Sequence, residues 1–239
     1  MEILHKIKWK IKKILWSFNI DIVKKKKNFD DIYKIKIKNK PIIFDVGANN
    51  GQTIQRFLSI FSKPIIHSFE PINDCCTAIS KLYKSNNIFI NNLALGKKLS
   101  KRIFYINKSN ATSSFIKISE KFKFKKLYQP KKIIKTNVVT IDNYVKLNNI
   151  KKIDILKIDT QGSELEVLKG ANKAFKSKII KFIELEVIIN FYYKNNCKLF
   201  EIDHLMSKKK FDLYYIDEFN YDKNYKITQF DLLYVNTQI

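Results

Sequence analysis

Phe44-Asp45-Val46-Gly47-Ala48-Asn49-Asn50-Gly51 constrains the fold of this chain more than any other stretch. The apolar run Pro41-Ile42-Ile43-Phe44 has the character of a buried parallel strand, and it stops at an acid and two glycines. Gln52 to Leu58 then resumes with helical spacing, so a tight turn joins strand to helix and presents backbone N–H groups at a helix N-terminus. That is the outline of a nucleotide-cofactor site. The spacing G-x-x-x-G lacks the middle glycine of the dinucleotide fingerprint, and no P-loop lysine follows Gly51. Both omissions argue against a pyrophosphate ligand.

Strand and helix patterns alternate from Pro41 onward, which predicts an α/β domain with a mainly parallel sheet. The second strand, Ile65 to Phe69, ends at Glu70-Pro71. Glu70 falls about 20 residues after the glycine turn, where doubly wound folds place an acid that accepts hydrogen bonds from a ribose diol; a helix-capping carboxylate is the plainer alternative. A third strand, Asn87 to Asn91, leads into Asn92-Leu93-Ala94, where a small residue could take an adenine face and an asparagine could pin its edge. Lys101 to Asn107 reads as a further strand. The polar excursion Lys108 to Gln129 is either a lid or a surface insertion.

A second strand-acid-glycine unit appears at Ile153 to Glu164, with Asp159 and Gly162 at its turn. Ligands bind outside the carboxyl ends of strands in such sheets, so Asp45, Glu70, Asp159 and Gln161 are expected to converge. In Ile179 to Val187, Glu184 and Glu186 share one face at period two. Burying them without partners is costly, which marks Glu186 for function or for pairing with a lysine. The last two strands, Phe211 to Ile216 and Phe230 to Val235, are joined by a polar turn rather than a helix and predict an antiparallel edge pair.

A net charge of +24 would ordinarily suggest nucleic acid or anionic membrane. Nearly all of it is lysine, with Arg56 and Arg102 the only arginines, and no Arg fork or basic groove interleaved with aromatics is evident. No dedicated nucleic-acid binding is expected. Residues 1–40 read as an N-terminal basic amphipathic helix and arm, and 41–239 as the catalytic domain. Ile3, Leu4, Ile7, Ile11, Ile14, Leu15 and Phe18 recur at near-helical spacing between lysines, with Trp9 and Trp16 seven apart. Residues 1–28 either meet an anionic membrane peripherally or pack on the domain. The lysine run Lys24 to Lys27 reads as a solvated link, and Tyr33 to Ile37 as a short edge strand or arm. Cys75, Cys76 and Cys197 have no metal or disulfide spacing, and no apolar run spans a membrane, so a reducing cytoplasm, with or without peripheral attachment at the inner membrane face, is the expected location.

Taken together, Asp45 to Gly51, Phe69-Glu70-Pro71, Asn92 to Gly96, Ser113-Ser114, Thr140-Ile141-Asp142, Leu156 to Glu164, Leu168 to Ala171 and Glu184-Leu185-Glu186 resemble the FkbM family of S-adenosylmethionine-dependent methyltransferases. Thr160-Gln161 and Asn143 depart from the pattern of many members. The resemblance implies a class I, Rossmann-like fold: a seven-stranded, mostly parallel sheet with an antiparallel edge hairpin and helices on both faces. It implies O-methylation of a hydroxyl, often on a sugar in a glycan, glycolipid or glycosylated metabolite. Carried over by position, Asp45 belongs to the cofactor turn, Gly47, Asn49 and Gly51 line the methionine part, Glu70 the ribose, and Asn92 and Ala94 the adenine. With no histidine at a strand end, Asp159 is the first candidate for base or acceptor-positioning group and Glu186 the second. A divalent metal is the less favoured alternative and no metal ligand is assigned. The rival reading is a non-enzymatic or nucleic-acid-directed basic protein using the same fold for binding at membrane or RNA; the pairing of Asp45 with Glu70 and the absence of an Asn/Asp-Pro-Pro-aromatic motif weigh against it.

Overall fold

The computed structural model describes residues 2–18, 28–38, 40–119, 126–189 and 199–239, with side chains from Trp9 onward in the first span. The expected lysine link at 24–27, Cys197 and residues 120–125 of the polar excursion lie outside the described residues.

Seven strands form one sheet in the order β3-β2-β1-β7-β8-β10-β9. They are β1 (Ile42–Val46), β2 (Ile65–Phe69), β3 (Ile88–Asn91), β7 (Ile153–Ile158), β8 (Ile180–Ile188), β9 (Phe211–Tyr221) and β10 (Ile227–Asn236). The first five run parallel, and β10 is antiparallel to both β8 and β9. This is the class I methyltransferase architecture. A smaller sheet, β4-β6-β5, holds β4 (Ala94–Leu95), β5 (Ser100–Asn107) and β6 (Pro130–Val139). No helix among the described residues is long and apolar enough to cross a membrane.

Helices α3 (Gln52–Ile60) and α4 (Asn73–Leu82) follow β1 and β2; α5 (Ile141–Leu147), α6 (Glu164–Lys169), α7 (Asn172–Lys176) and α8 (Leu199–Lys208) follow in order. The period-two alternation of the strands divides their side chains between two cores. Phe44, Leu156, Ile183 and Leu232 enter one, with α5 to α8; Ile43, Ile155, Phe182 and Leu233 enter the other, with α3.

Of the segment 33–37, expected as an edge strand or arm, residues 33–36 instead complete helix α2 (Phe29–Lys36), and Ile37 is its extended C-cap. A capping box decides it: Asn28 Oδ1 accepts the Asp31 N–H at 3.0 Å while the Asp31 carboxylate accepts the Asn28 N–H at 3.3 Å. Phe29, Ile32, Tyr33 and the following Ile37 are buried in the α3-side core, so packing begins ahead of Pro41. Helix α1 (Glu2–Trp16) keeps Trp9, Ile11, Ile14 and Trp16 about half exposed. At 100° per residue the two tryptophans lie opposite Ile11 and Ile14, flanked by Lys12 and Lys13, whose ammonium groups sit over the indole rings.

Candidate active site

Two cavities open along the carboxyl edge of the sheet, and Asp159 lines both. The first lies between the β1 and β2 turns and the smaller sheet, with Gly47, Asn49, Glu70, Ile72, Ala94 and Phe104 in its wall.

Its floor is built by close approach of the β1 and β7 turns. Gly47 has φ +92°, and a Cβ there would lie 1.9 Å from the Asp159 carbonyl oxygen, so a side chain is excluded. Asn49 also adopts positive φ, +45°, which asparagine tolerates better than most residues. The turn does not form an anion nest. The N–H groups of Gly47 and Ala48 both donate to the Phe69 carbonyl, Asn49 N–H donates to Glu70 Oε2 at 2.9 Å, and Gly51 N–H donates to the Ala48 carbonyl. With these donors satisfied, the loop suits a ligand without phosphate.

Glu70 is buried, and its other oxygen accepts the Ile72 N–H at 2.8 Å. Burial pushes its pKa up to about 7, against the two backbone donors. Glu70 thus holds the backbone at the start of α4 through Ile72 and also lines the cavity, with two further lone pairs to offer. Ala94 lines the wall; the Asn92 amide instead donates to the Glu70 and Pro71 carbonyls and fixes that turn. Gly51 starts α3 in the left-handed conformation, against Tyr83 and Ile79. Asp45 faces away from this cavity, as the register partner of Lys157, and burial raises it to about 6 despite that lysine. Its Oδ1 is buried with no hydrogen-bond partner.

The roof is the 3-10 turn Asn110–Thr112 with Ser113 to Phe115. Ser114 Oγ donates to the Gln161 carbonyl at 2.8 Å, tying roof to floor. The enclosed volume is about 80 Å³. A nucleoside-sized ligand needs roughly 300 Å³ or more, so its entry requires the roof to lift.

The second cavity, about 490 Å³, lies across Asp159 toward α2, α3, β9 and β10. Sequence reasoning placed Asp159 and Glu186 here but missed Lys157, which lies in the apolar strand β7 and donates to Asp159 Oδ2 at 3.1 Å. The charge within Ile-Leu-Lys-Ile was the available signal. Burial pushes Asp159 up, and Lys157 with the Gln161 amide more than reverses this, so Asp159 stays below the usual carboxylate range. Glu186 moves the other way: burial and the Asp159 charge raise it well above its ordinary value. Gln161 Nε2 donates to both acids, at 3.0 Å to Asp159 and 2.6 Å to Glu186. A single amide thus clamps two acids whose proton affinities are pushed in opposite directions. Glu184, on the same face, is a structural acid bound by Arg56 and by the Tyr33 hydroxyl at 2.8 Å. Among the described residues, no three His, Cys, Asp or Glu side chains form a group suited to a metal.

Residues 45–213 match the methyltransferase FkbM domain model. The chain belongs to the FkbM methyltransferase family. The matched domain is a methyltransferase domain, and it holds both the phosphate-poor turn and the Glu70 carboxylate. The crystal structure of methyltransferase FkbM from Methylobacillus flagellatus KT superposes with a TM-score of 0.50 at 15% identity, covering 82% of this chain and 43% of that one. The chain therefore spans less than half the length of that relative. A proposed rRNA-methylase from Clostridium thermocellum gives 0.51 at 8% identity, covering 89% and 99%. TrmK of M. capricolum, solved with S-adenosyl-homocysteine, gives 0.48 at 12% identity, covering 89% and 69%. Resemblance at these identities is one of fold. No curated protein matches the sequence.

Proposed function

We propose that this FkbM enzyme methylates a hydroxyl group, that of a sugar in a glycan, glycolipid or glycosylated metabolite. The observation that carries this reading is the Asp159–Glu186 pair at the junction of the two cavities. An alcohol is a poor nucleophile until its proton is taken, and a positioned carboxylate that stays ionised at neutral pH can take it.

S-adenosylmethionine, when bound, supplies an electrophilic methyl on a positively charged sulfur. Gly47 and Asn49 would give its chain room beside the turn, Glu70 would accept from the ribose hydroxyls, and Ile72, Ala94 and Phe104 would bound the apolar wall for the base. Asp159 accepts the hydrogen bond of the acceptor hydroxyl, orients the oxygen and receives its proton as the oxygen takes the methyl group and the methyl–sulfur bond breaks, leaving S-adenosylhomocysteine. Lys157 keeps Asp159 ionised before the transfer, and Gln161 fixes its rotamer. Glu186, protonated, helps disperse the charge of the pair. Holding the hydroxyl in line supplies much of the acceleration, because a misplaced oxygen cannot attack.

The test is transfer of a labelled methyl group from S-adenosylmethionine into a glycan extract, with products identified by mass spectrometry. Asp159→Asn is expected to lose about 10²–10⁴ in rate while still binding S-adenosylhomocysteine in titration calorimetry. Unchanged turnover in that variant, or a methyl group found on nitrogen, would refute the reading.

A further inference from the structure

The second cavity has an unusual electrostatic character for a chain of charge +24. Among the described residues, seven acidic side chains line it against two cations, Arg56 and Lys157. Both cations are committed: Arg56 is held by Asp30 at 2.7 Å and Glu184 at 2.6 Å, and Lys157 by Asp159 at 3.1 Å. Glu186 is held by the amides of Gln161 and Gln229, whereas Glu218 and Asp231 have no cation within ion-pair distance among the described residues. Asp231 is the register partner of both Glu186 and Asp217, so three acids stand abreast across β8, β10 and β9. Burial, then Glu184, raises Asp231 to about 7. Amides of Asn28, Gln52, Asn220 and Gln229 complete a lining in which Phe29 is the one apolar side chain.

An independent observation lies on the same sheet face. Asp45, Lys157 and Glu184 are successive register partners, and the latter two line the cavity. Asp45 Oδ1 is fully buried beside them without a donor, an acceptor that the protein leaves unsatisfied. The N-terminus of α3, with Gln52 and Thr53 at the cavity, adds only about half a positive charge.

We infer that this cavity is the acceptor subsite and selects a polyhydroxylated acceptor bearing an ammonium group, an amino sugar, over neutral sugars, and rejects uronates and sugar phosphates. The inference rests on the hydroxyl-transfer reading and deepens it. Amides and carboxylates hydrogen-bond sugar hydroxyls, while the unpaired acids attract a protonated amine. A ligand carboxylate or phosphate would meet like charges in a partly desolvated site and would also forfeit its own hydration. Asp231 and Glu218 are the selectivity-determining residues; both line the cavity, and Asp231 stands beside Glu186 in the sheet.

The full chain saturated with S-adenosylhomocysteine is titrated with the methyl glycosides of glucosamine, glucose and glucuronic acid. Affinity is expected to fall in that order, with at least tenfold between the first and last, and the spread should narrow at high salt. Asp231→Asn combined with Glu218→Gln should bring the three affinities within about threefold, while calorimetric binding of S-adenosylhomocysteine reports that the variant is folded. Glucuronide binding as tight as glucosaminide binding, or no binding of any glycoside by protein that binds S-adenosylhomocysteine, overturns the inference. If the charge order holds but Asp159→Asn transfers methyl groups at the wild-type rate, the subsite stands and the hydroxyl-transfer mechanism fails instead.

Discussion

Replacing Lys157 by methionine keeps the length and apolar stem of the side chain and removes only its charge. At the observed 3.1 Å from Asp159, and with an effective dielectric near 20, the attraction lost is about 5 kcal/mol. Breaking a buried pair by deleting one partner costs roughly 3–5 kcal/mol, because the other charge is left uncompensated. The Asp159 side chain is 30% accessible, so water offsets part of this and the lower end, about 3 kcal/mol, is expected. For a chain of this size that lowers the melting temperature by about 6–12 °C at pH 7. The pH dependence carries the sharper test. In the wild type the folded-state pKa of Asp159 is depressed, so its contribution is present above the unfolded value and is lost as pH falls through the folded one. Without Lys157, burial pushes Asp159 upward with its main counterweight gone, and the variant folds best with that acid protonated. Its deficit should therefore shrink between pH 7 and pH 5. The same protonation removes the base at neutral pH, so the acidic limb of kcat/KM moves to higher pH. Melts and rate profiles of the two proteins over pH 5–9 check both. A deficit below 1 kcal/mol at pH 7, or one that grows toward pH 5, would refute this account of the site.

Glu70 is raised to about 7 by burial, and its ionised form is the better acceptor for ribose hydroxyls; S-adenosylhomocysteine affinity should therefore rise from pH 6 to pH 8. Glu70→Gln should abolish that rise and weaken binding about 10- to 100-fold, the range for losing hydrogen bonds to a charged acceptor; calorimetry across the pH range decides it. Ser114→Ala removes the hydroxyl that donates to the Gln161 carbonyl and accepts from the Ile116 N–H; the first bond ties roof to floor and is worth about 1 kcal/mol, so release of S-adenosylhomocysteine should speed about fivefold in stopped-flow displacement. Helix α1 offers exposed Ile11 and Ile14 beside lysines. The full chain should float with vesicles containing one-third phosphatidylserine and not with pure phosphatidylcholine, and Ile11→Asn with Ile14→Asn should abolish flotation; equal behaviour of the two proteins would reject membrane contact.

Much of the fold was legible because its signals are local. The apolar runs at Ile42, Ile65 and Ile153 stop at an acid or a glycine, and the run at Ile180 is apolar along its length apart from its acids, the mark of buried parallel strands. The polar turn between the last two runs forecast the antiparallel β9–β10 pair. The segment at Tyr33 was misread because Tyr-Lys-Ile-Lys-Ile alternates like a strand, whereas the deciding capping box lies just ahead of it, at Asn28 and Asp31. Within the site, Gly47, Asn49, Glu70, Ala94 and Asp159 were nameable as cavity-wall residues from turn chemistry and spacing.

The sequence by itself determined the strand ends, the glycine turn and the acids beside it, since backbone conformation and burial of single elements depend on neighbouring residues. Which acid stays ionised, which keeps its proton and which merely holds the fold was decided only by tertiary structure. Asp159, Glu184 and Glu186 carry the same kind of group, yet Arg56 reaches Glu184 from α3 and Gln161 reaches Glu186 from the turn after β7, while Lys157 pairs with Asp159 only two residues along, and their charges are set apart. Electrostatic free energy depends on distances of a few ångströms between residues far apart in the chain, and those distances exist only once the sheet has assembled.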